Sequence, residues 1–258
     1  MSSKSSETAS SGDNQVAHLY YVPSGDSLEA GVPARLLDEE ARHAATVGRL
    51  GVGEDILVGD GVGTLATARA TAVGPKEVVL EVLETTVHAR PQPEVWLVQA
   101  LAKGDRDELA IQTCTELGVD RIIPWQAARS VSVWKGDKVA KGVARWQKIA
   151  TEASKQSLRP WIPTVDPVMT TKEIAGLGGD HQLLLLEPGA RDALSAYIPA
   201  RTPHVLVMVG PEGGIEPSEK ELLMGSGALD MRLGSTVLRT SSAGPAALAL
   251  LNSSLGRW

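Results

Sequence analysis

From Glu94 onward the chain alternates near-continuous apolar runs with helical patterns, and this alternation restricts the fold more than any other feature. The runs are Val95 to Leu101, Arg121 to Trp125, Leu183 to Glu187 and Val205 to Val209. Strands that are apolar on both faces must be covered on both faces, which predicts a mostly parallel sheet between helices. Read from the residues alone, that sheet would be open and doubly wound. The first helix is expected where Ala110, Ile111, Cys114 and Leu117 share a face, with Asp107 and Glu108 at its positive end and Gly118 as its stop. Cys114, the only cysteine, is then a core residue rather than a nucleophile, since no basic residue adjoins it.

Before Glu94 the rhythm is different. Short β-like runs (Leu19 to Val22, Ile56 to Val58, Thr64 to Ala70, Val78 to Leu83) are punctuated by Gly and Asp, with Asp60-Gly61 as a hairpin signal and Asp38 to Leu50 as the one helical stretch. A small β-barrel satisfies this pattern. His88 to Glu94, with Pro91 and Pro93, reads as a linker, and the first fifteen residues, rich in Ser and other small or polar types, as a disordered tail. The expected organisation is a tail over 1–15, a barrel over 16–90 and an α/β domain over 91–258.

One cysteine and five scattered histidines give no metal-ligand spacing, and no apolar run approaches the 18 or so residues needed to span a bilayer. The tail has neither the apolar stretch of a secretion signal nor the arginines of a transit peptide, so a soluble, cytoplasmic protein without a metal is expected. A net charge of −6 argues against nucleic acid, but the average hides a local reversal. Between Arg129 and Arg159 eight basic residues face two acidic ones. There a helix from about Lys138 to Gln156 turns Val139, Val143, Trp146, Ile149 and Ala153 to one face and Lys141, Arg145, Lys148 and Lys155 to the other. The same region, from Trp125 to Trp161, holds four of the six tryptophans, Trp125, Trp134, Trp146 and Trp161, although Trp146 itself reads as core. Such a surface is either a solvated stripe or an RNA-binding face in which rings stack on bases.

Two loops carry the strongest local signals. Val205 to Val209 runs into Gly210-Pro211-Glu212-Gly213-Gly214, with Pro217 opening a helix and Ser218, Glu219 and Glu221 in its first turn. Glycines at such a turn let a ligand approach bare backbone, and a side chain at Gly213 is expected to enter the pocket or strain the turn. Neither phosphate-loop spacing is present, and Glu212 would repel phosphate. The second loop, Met231 to Ala243, places Arg239 and several hydroxyls before a helix expected to follow Pro245 and run to about Leu255.

These residues resemble a known family. Gly210-Pro211-Glu212-Gly213-Gly214, Leu233-Gly234 and Val237-Leu238-Arg239-Thr240 are similar to the C-terminal signature of the bacterial 16S ribosomal RNA uridine-N3 methyltransferases, members of the trefoil-knotted SPOUT superfamily. Lys103-Gly104-Asp105, Glu116-Leu117-Gly118-Val119 and Trp146-Gln147-Lys148-Ile149-Ala150 match the pattern in order, and His43 and Arg49 are its recognisable points in the barrel. The resemblance implies a PUA-like RNA-binding barrel, a knotted methyltransferase domain, S-adenosylmethionine as donor, a homodimer, and a uridine in the decoding region of 16S rRNA, naked or in the assembled small subunit, methylated at N3. It places the donor among Leu186, Glu187, Pro188, Gly189, Val209, Gly210, Pro211, Glu212, Gly213, Gly214, Leu233, Gly234, Val237, Leu238 and Thr240, with Leu233 and Leu238 beside the adenine. Arg49, Lys103, Arg106, Arg129, Lys141, Arg145, Lys148 and Arg159 are the candidate RNA contacts, and Arg239 is the candidate catalytic residue.

The chain departs from the family pattern at two points. Where the family reads Arg-Thr-Glu-Thr-Ala, this chain has Arg239-Thr240-Ser241-Ser242-Ala243, so a carboxylate is missing and no general base is assigned. Glu216-Pro217 also stands where a Ser or Asp helix cap is expected. Two other functions compete with the enzyme: a non-catalytic RNA-binding module, which would need no donor pocket, and a nucleotide enzyme using the Gly-rich turn, which the missing Lys and the presence of Glu212 disfavour.

Overall fold

The computed structural model describes residues 18–198 and 202–258; the tail expected over 1–15 lies outside them. The N-terminal region contains β1 (Leu19–Tyr21), β2 (Pro33–Leu37), α1 (Asp38–Arg42), a π-helical turn (His43–Val47), β3 (Asp55–Gly59), β4 (Thr64–Val73) and β5 (Glu77–Val87). Its sheet has the order β1-β3-β4-β5-β2, antiparallel except for the β1–β3 pair. The cause is strict alternation: Ala66, Ala68 and Ala70 on β4 and Val78, Leu80 and Val82 on β5 turn inward, while Thr67, Arg69 and Glu81 turn out. Asp60 makes the expected hairpin, its Oδ1 accepting from the amides of Val62 (2.8 Å) and Thr64 (2.9 Å), with Gly61 at φ +72°. The sequence did not announce β2, an edge strand that opens on a proline and buries only Ala34 and Leu36.

The second region runs β6 (Glu94–Ala100), α2 (Arg106–Glu116), β7 (Arg121–Gln126), α3 (Asp137–Gln156), β8 (Thr164–Val165), β9 (Met169–Thr170), α4 (Thr171–Ala175), β10 (Gln182–Leu186), β11 (Asp192–Ala193), β12 (His204–Val209), α5 (Pro217–Gly225), β13 (Leu229–Arg232) and α6 (Thr240–Ser254). The sheet order is β11-β13-β10-β12-β6-β7-β8, with β9 also on β7, and every pairing is parallel. The expected parallel sheet is therefore present, with every residue of β6 buried. On one face Leu97, Val207 and Val209 pack with Ile111, Trp146 and Leu248; on the other Trp96, Val98 and Met208 pack with Ile174 and Leu223. Cys114 is fully buried, and burial pushes its thiol up, as a core cysteine requires.

Helix α6 begins at Thr240, ahead of the start expected after Pro245, and carries the proline inside it. A proline this near the N-terminus removes one intrahelical bond. The early start lets Gly244 pack so tightly that an added Cβ would lie 3.1 Å from both Cys114 Sγ and Leu97 Cδ1. Among the described residues no helix is long and apolar enough to cross a membrane.

The two regions meet along a polar seam. Trp161 covers Gly63, donates from Nε1 to the His88 carbonyl (2.9 Å) and carries the Arg90 guanidinium 4.3 Å over its ring. Tyr21 donates its hydroxyl to the Arg159 carbonyl (2.8 Å), and Lys155 reaches Glu40 at 2.6 Å.

Candidate active site

Three parallel strands end side by side, and their continuations enclose a cavity of about 370 Å³. Leu186 closes β10, Val209 closes β12, and Met231 lies in β13, whose carbonyl accepts from the Glu187 amide at 2.9 Å. A crevice at the carboxyl ends of parallel strands is where such sheets bind ligands. The Gly-rich turn forms one wall, tightened by the Gly214 amide donating to the Pro211 carbonyl (2.9 Å), with Gly214 at φ +73°. Leu233 to Arg239 forms the other and leads into α6.

All the residues assigned to the donor line this cavity except Gly189 and Gly213. A Cβ at Gly213 would meet the Cβ and carbonyl of Arg129 at 3.3 Å, so this glycine makes room for Arg129 rather than for a ligand. Sequence reasoning placed Met231 and Thr236 in the pocket with the rest of the segment Met231 to Thr240, and missed Ile215 and Ala243 in the lining. Ala243 falls inside a motif already singled out, and Arg106, expected as an RNA contact, reaches the cavity from the start of α2.

The charges around the cavity are arranged unevenly. Glu212 accepts from the Lys103 amide (3.3 Å) and the Arg106 guanidinium (3.2 Å), which ties the Gly-rich turn to the start of α2. Arg239 is exposed and has no acidic partner among the described residues, Glu212 being paired with Arg106 instead. It occupies the N-cap of α6, where no side chain caps the helix and the first amides point toward the cavity end. Ser241 is buried (8% exposed) and outside the lining. Glu216, at the N-cap of α5, makes no cap and instead holds Arg129 at 2.7 Å.

The basic stretch differs from its reading in several respects. Arg49, at φ +52°, Lys103 and Lys141 are exposed, without acidic partners among the described residues. Arg106 pairs with Glu212, Arg129 with Glu216, Arg145 with Glu108 (2.7 Å) and Lys148 with Glu39 (3.7 Å). Arg159 must be corrected: its guanidinium turns inward to the Thr115 carbonyl (2.7 Å), and burial pulls its pKa down to about 10. Lys155 is also turned in, 6% exposed between Glu40 and Glu152 (2.8 Å). Nor do the tryptophans form a stacking platform. Trp125 and Trp146 are core, Trp134 lies edge-on against Trp146 at 5.1 Å, and Trp161 belongs to the seam.

The comparisons agree with this geometry. Residues 89–252 match the model of the RNA methyltransferase domain and residues 36–83 that of the RNA methyltransferase PUA domain. The class is therefore an RNA methyltransferase, a SPOUT domain behind a PUA-like barrel whose described sheet is a half-barrel. The chain is 39% identical over 249 residues to ribosomal RNA small subunit methyltransferase E of Mycobacterium bovis, covering 94% of each, and 33% identical over 223 residues to that of Bacillus subtilis, covering 83% of this chain and 87% of the relative. The structure of the Neisseria gonorrhoeae methyltransferase E bound to S-adenosyl methionine superposes with a TM-score of 0.82 at 30% identity, over 92% of this chain and 97% of that one. A Legionella pneumophila methyltransferase in complex with the same cofactor gives 0.83 at 30% identity over the same shares. The chain belongs to the ribosomal RNA small subunit methyltransferase E family.

Proposed function

We propose that this chain binds S-adenosylmethionine in the strand-end cavity and methylates N3 of a uridine in the decoding region of 16S rRNA. The observation that carries the reading is Arg239: a guanidinium without an acidic partner among the described residues, at a helix N-terminus on the rim of a cavity walled by Leu186, Val209, Leu233 and Leu238. The cavity suits the donor. Its apolar walls and open backbone groups fit an adenine, and the carboxylate of Glu187, without a basic partner among the described residues, favours a cationic ligand over a nucleoside triphosphate.

Bound there, the donor supplies a methyl group already activated on a sulfonium. The protein's task is then mainly alignment. As the new N3–carbon bond forms and the sulfur–carbon bond breaks, the uridine N3 proton would pass to solvent water, since no side chain of the cavity is assigned as its base. Arg239, permanently charged, stabilises the negative charge that builds on the ring. Ser241, buried and with a hydroxyl pKa too high for a base, does not replace the missing carboxylate.

The barrel over 16–90 and the domain over 91–258 share the RNA. Arg49, Lys103 and Lys141 lead the phosphate contacts, whereas Arg106, Arg129, Arg145 and Lys148 must first exchange carboxylates for phosphates. The enzyme works in the cytoplasm as a homodimer on naked rRNA or the assembled small subunit. The half-buried row of Ala246, Ala249 and Leu250 on α6, beside Leu233 and Leu238, supports the pairing of two copies. Nucleoside mass spectrometry of rRNA from a strain lacking the gene tests the reading: N3-methyluridine should vanish, and its retention would refute the assignment.

A further inference from the structure

Strand β6 contains one amide, Gln99, where packing alone favours a leucine. It is fully buried beside Leu97 on the sheet face covered by α6, and it pairs in register with Val209 of β12. Its Nε2 donates to Thr240 Oγ1 (2.8 Å) and to the Ala100 carbonyl (3.1 Å), while its Oε1 has no partner among the described residues. A buried amide with an unpaired oxygen costs stability, so the fold gains nothing obvious from it. Thr240 passes the connection on, its hydroxyl lying 3.3 Å from the Gly210 carbonyl it donates to. Gly210 and Thr240 both line the donor cavity, and Gln99 does not.

We infer that Gln99 is a positioning residue for methyl transfer. Through Thr240 it fixes the start of α6 against the Gly-rich turn, and thereby sets both the spacing of the two cavity walls and the direction of Arg239, the residue next to Thr240. The cavity has no other described side-chain tie between these two walls: Glu212 fastens the turn to α2, not to the Leu233–Arg239 wall. Alignment of donor and acceptor is sensitive to displacements well under an ångström, so a tie of this kind is felt in affinity and rate before it is felt in folding. The inference rests on the donor site proposed above.

The test compares Gln99→Leu and Thr240→Val, singly and together, by calorimetry with S-adenosylmethionine, methyl transfer to small subunits and thermal unfolding. Gln99→Leu should keep the wild-type Tm or raise it. Donor binding should weaken about tenfold, the worth of one buried hydrogen-bonded link, and kcat at saturating donor should fall as well. The double variant should bind donor no worse than either single one, because both cut the same tie. Leu97→Ala, on the same face of β6, serves as a packing control that lowers Tm with donor affinity kept. Wild-type affinity and kcat in Gln99→Leu would overturn the inference, as would losses that follow Tm in the way the packing control defines. A wild-type protein that binds no donor would overturn the donor site itself.

Discussion

The strand-end cavity and the basic stretch from Arg129 to Arg159 both announce themselves in the sequence, yet the folded chain neutralises most of the charge in the stretch and leaves the cation at the cavity rim without a carboxylate. In the stretch, Arg129, Arg145, Lys148 and Lys155 are held by the carboxylates of Glu216, Glu108, Glu39 and Glu40, and Arg159 turns to a backbone carbonyl, which leaves only Lys135, Lys138 and Lys141 without acidic partners among the described residues. At the cavity, Arg239 has no acidic partner among the described residues. A surplus of charge counted along a chain thus says little about the charge available to a ligand, because the neutralising partners come from distant elements. A cation without an acidic partner among the described residues, set at a helix start on a cavity rim, is the stronger functional signal.

The sharpest break of this comparison would come from Arg239. Arg239→Ala should lower the methyl-transfer rate on the order of a hundredfold, a loss suited to one preorganised electrostatic contact, with donor affinity and Tm little changed. A matching fall in Tm would make Arg239 structural and erase the contrast. On the other side stands Lys155, whose removal leaves Glu40 uncompensated at the seam. Lys155→Ala should cost about 2 kcal/mol in urea unfolding, in the range of a charged hydrogen bond, and leave RNA binding unaltered. Weakened RNA binding at unchanged stability would return Lys155 to the RNA face.

Finer resolution comes from two lysine-helix variants. Lys141→Ala should flatten the salt dependence of RNA binding by about one unit of slope, whereas Arg145→Ala, already committed to Glu108, should change it less. Equal slopes would mean that the ion pair opens freely. The smallest effect is expected from Ser241→Ala, which should transfer methyl groups at close to the wild-type rate; an inactive variant would make the buried hydroxyl a substitute for the absent carboxylate.

What could be read from the residues followed local periodicity and turn chemistry. The alternating barrel strands, the apolar strands β6, β7, β10 and β12, and both cavity loops were legible because each is a continuous segment. Strand β2 was not, since five residues opening on a proline carry too little pattern. Nor was the start of α6: Pro245 looks like a boundary, and the packing of Gly244 on Cys114 is invisible before folding. The knotted topology came from the resemblance alone, because ordinary rules of chain connection exclude threading. The fates of Arg129, Arg159 and Trp161 were hidden for a single reason. Each depends on a partner more than 40 residues away, Glu216, Thr115 and His88 respectively.

Locating the transferred methyl group tests the central claim most directly. Small subunits from a strain lacking the gene, incubated with the purified protein and S-adenosylmethionine, should gain a methyl group at N3 of a uridine in the decoding region of 16S rRNA, seen by nuclease digestion and mass spectrometry. A methyl group found on a ribose or on another base position, or no transfer by a protein that binds the donor, would contradict the account.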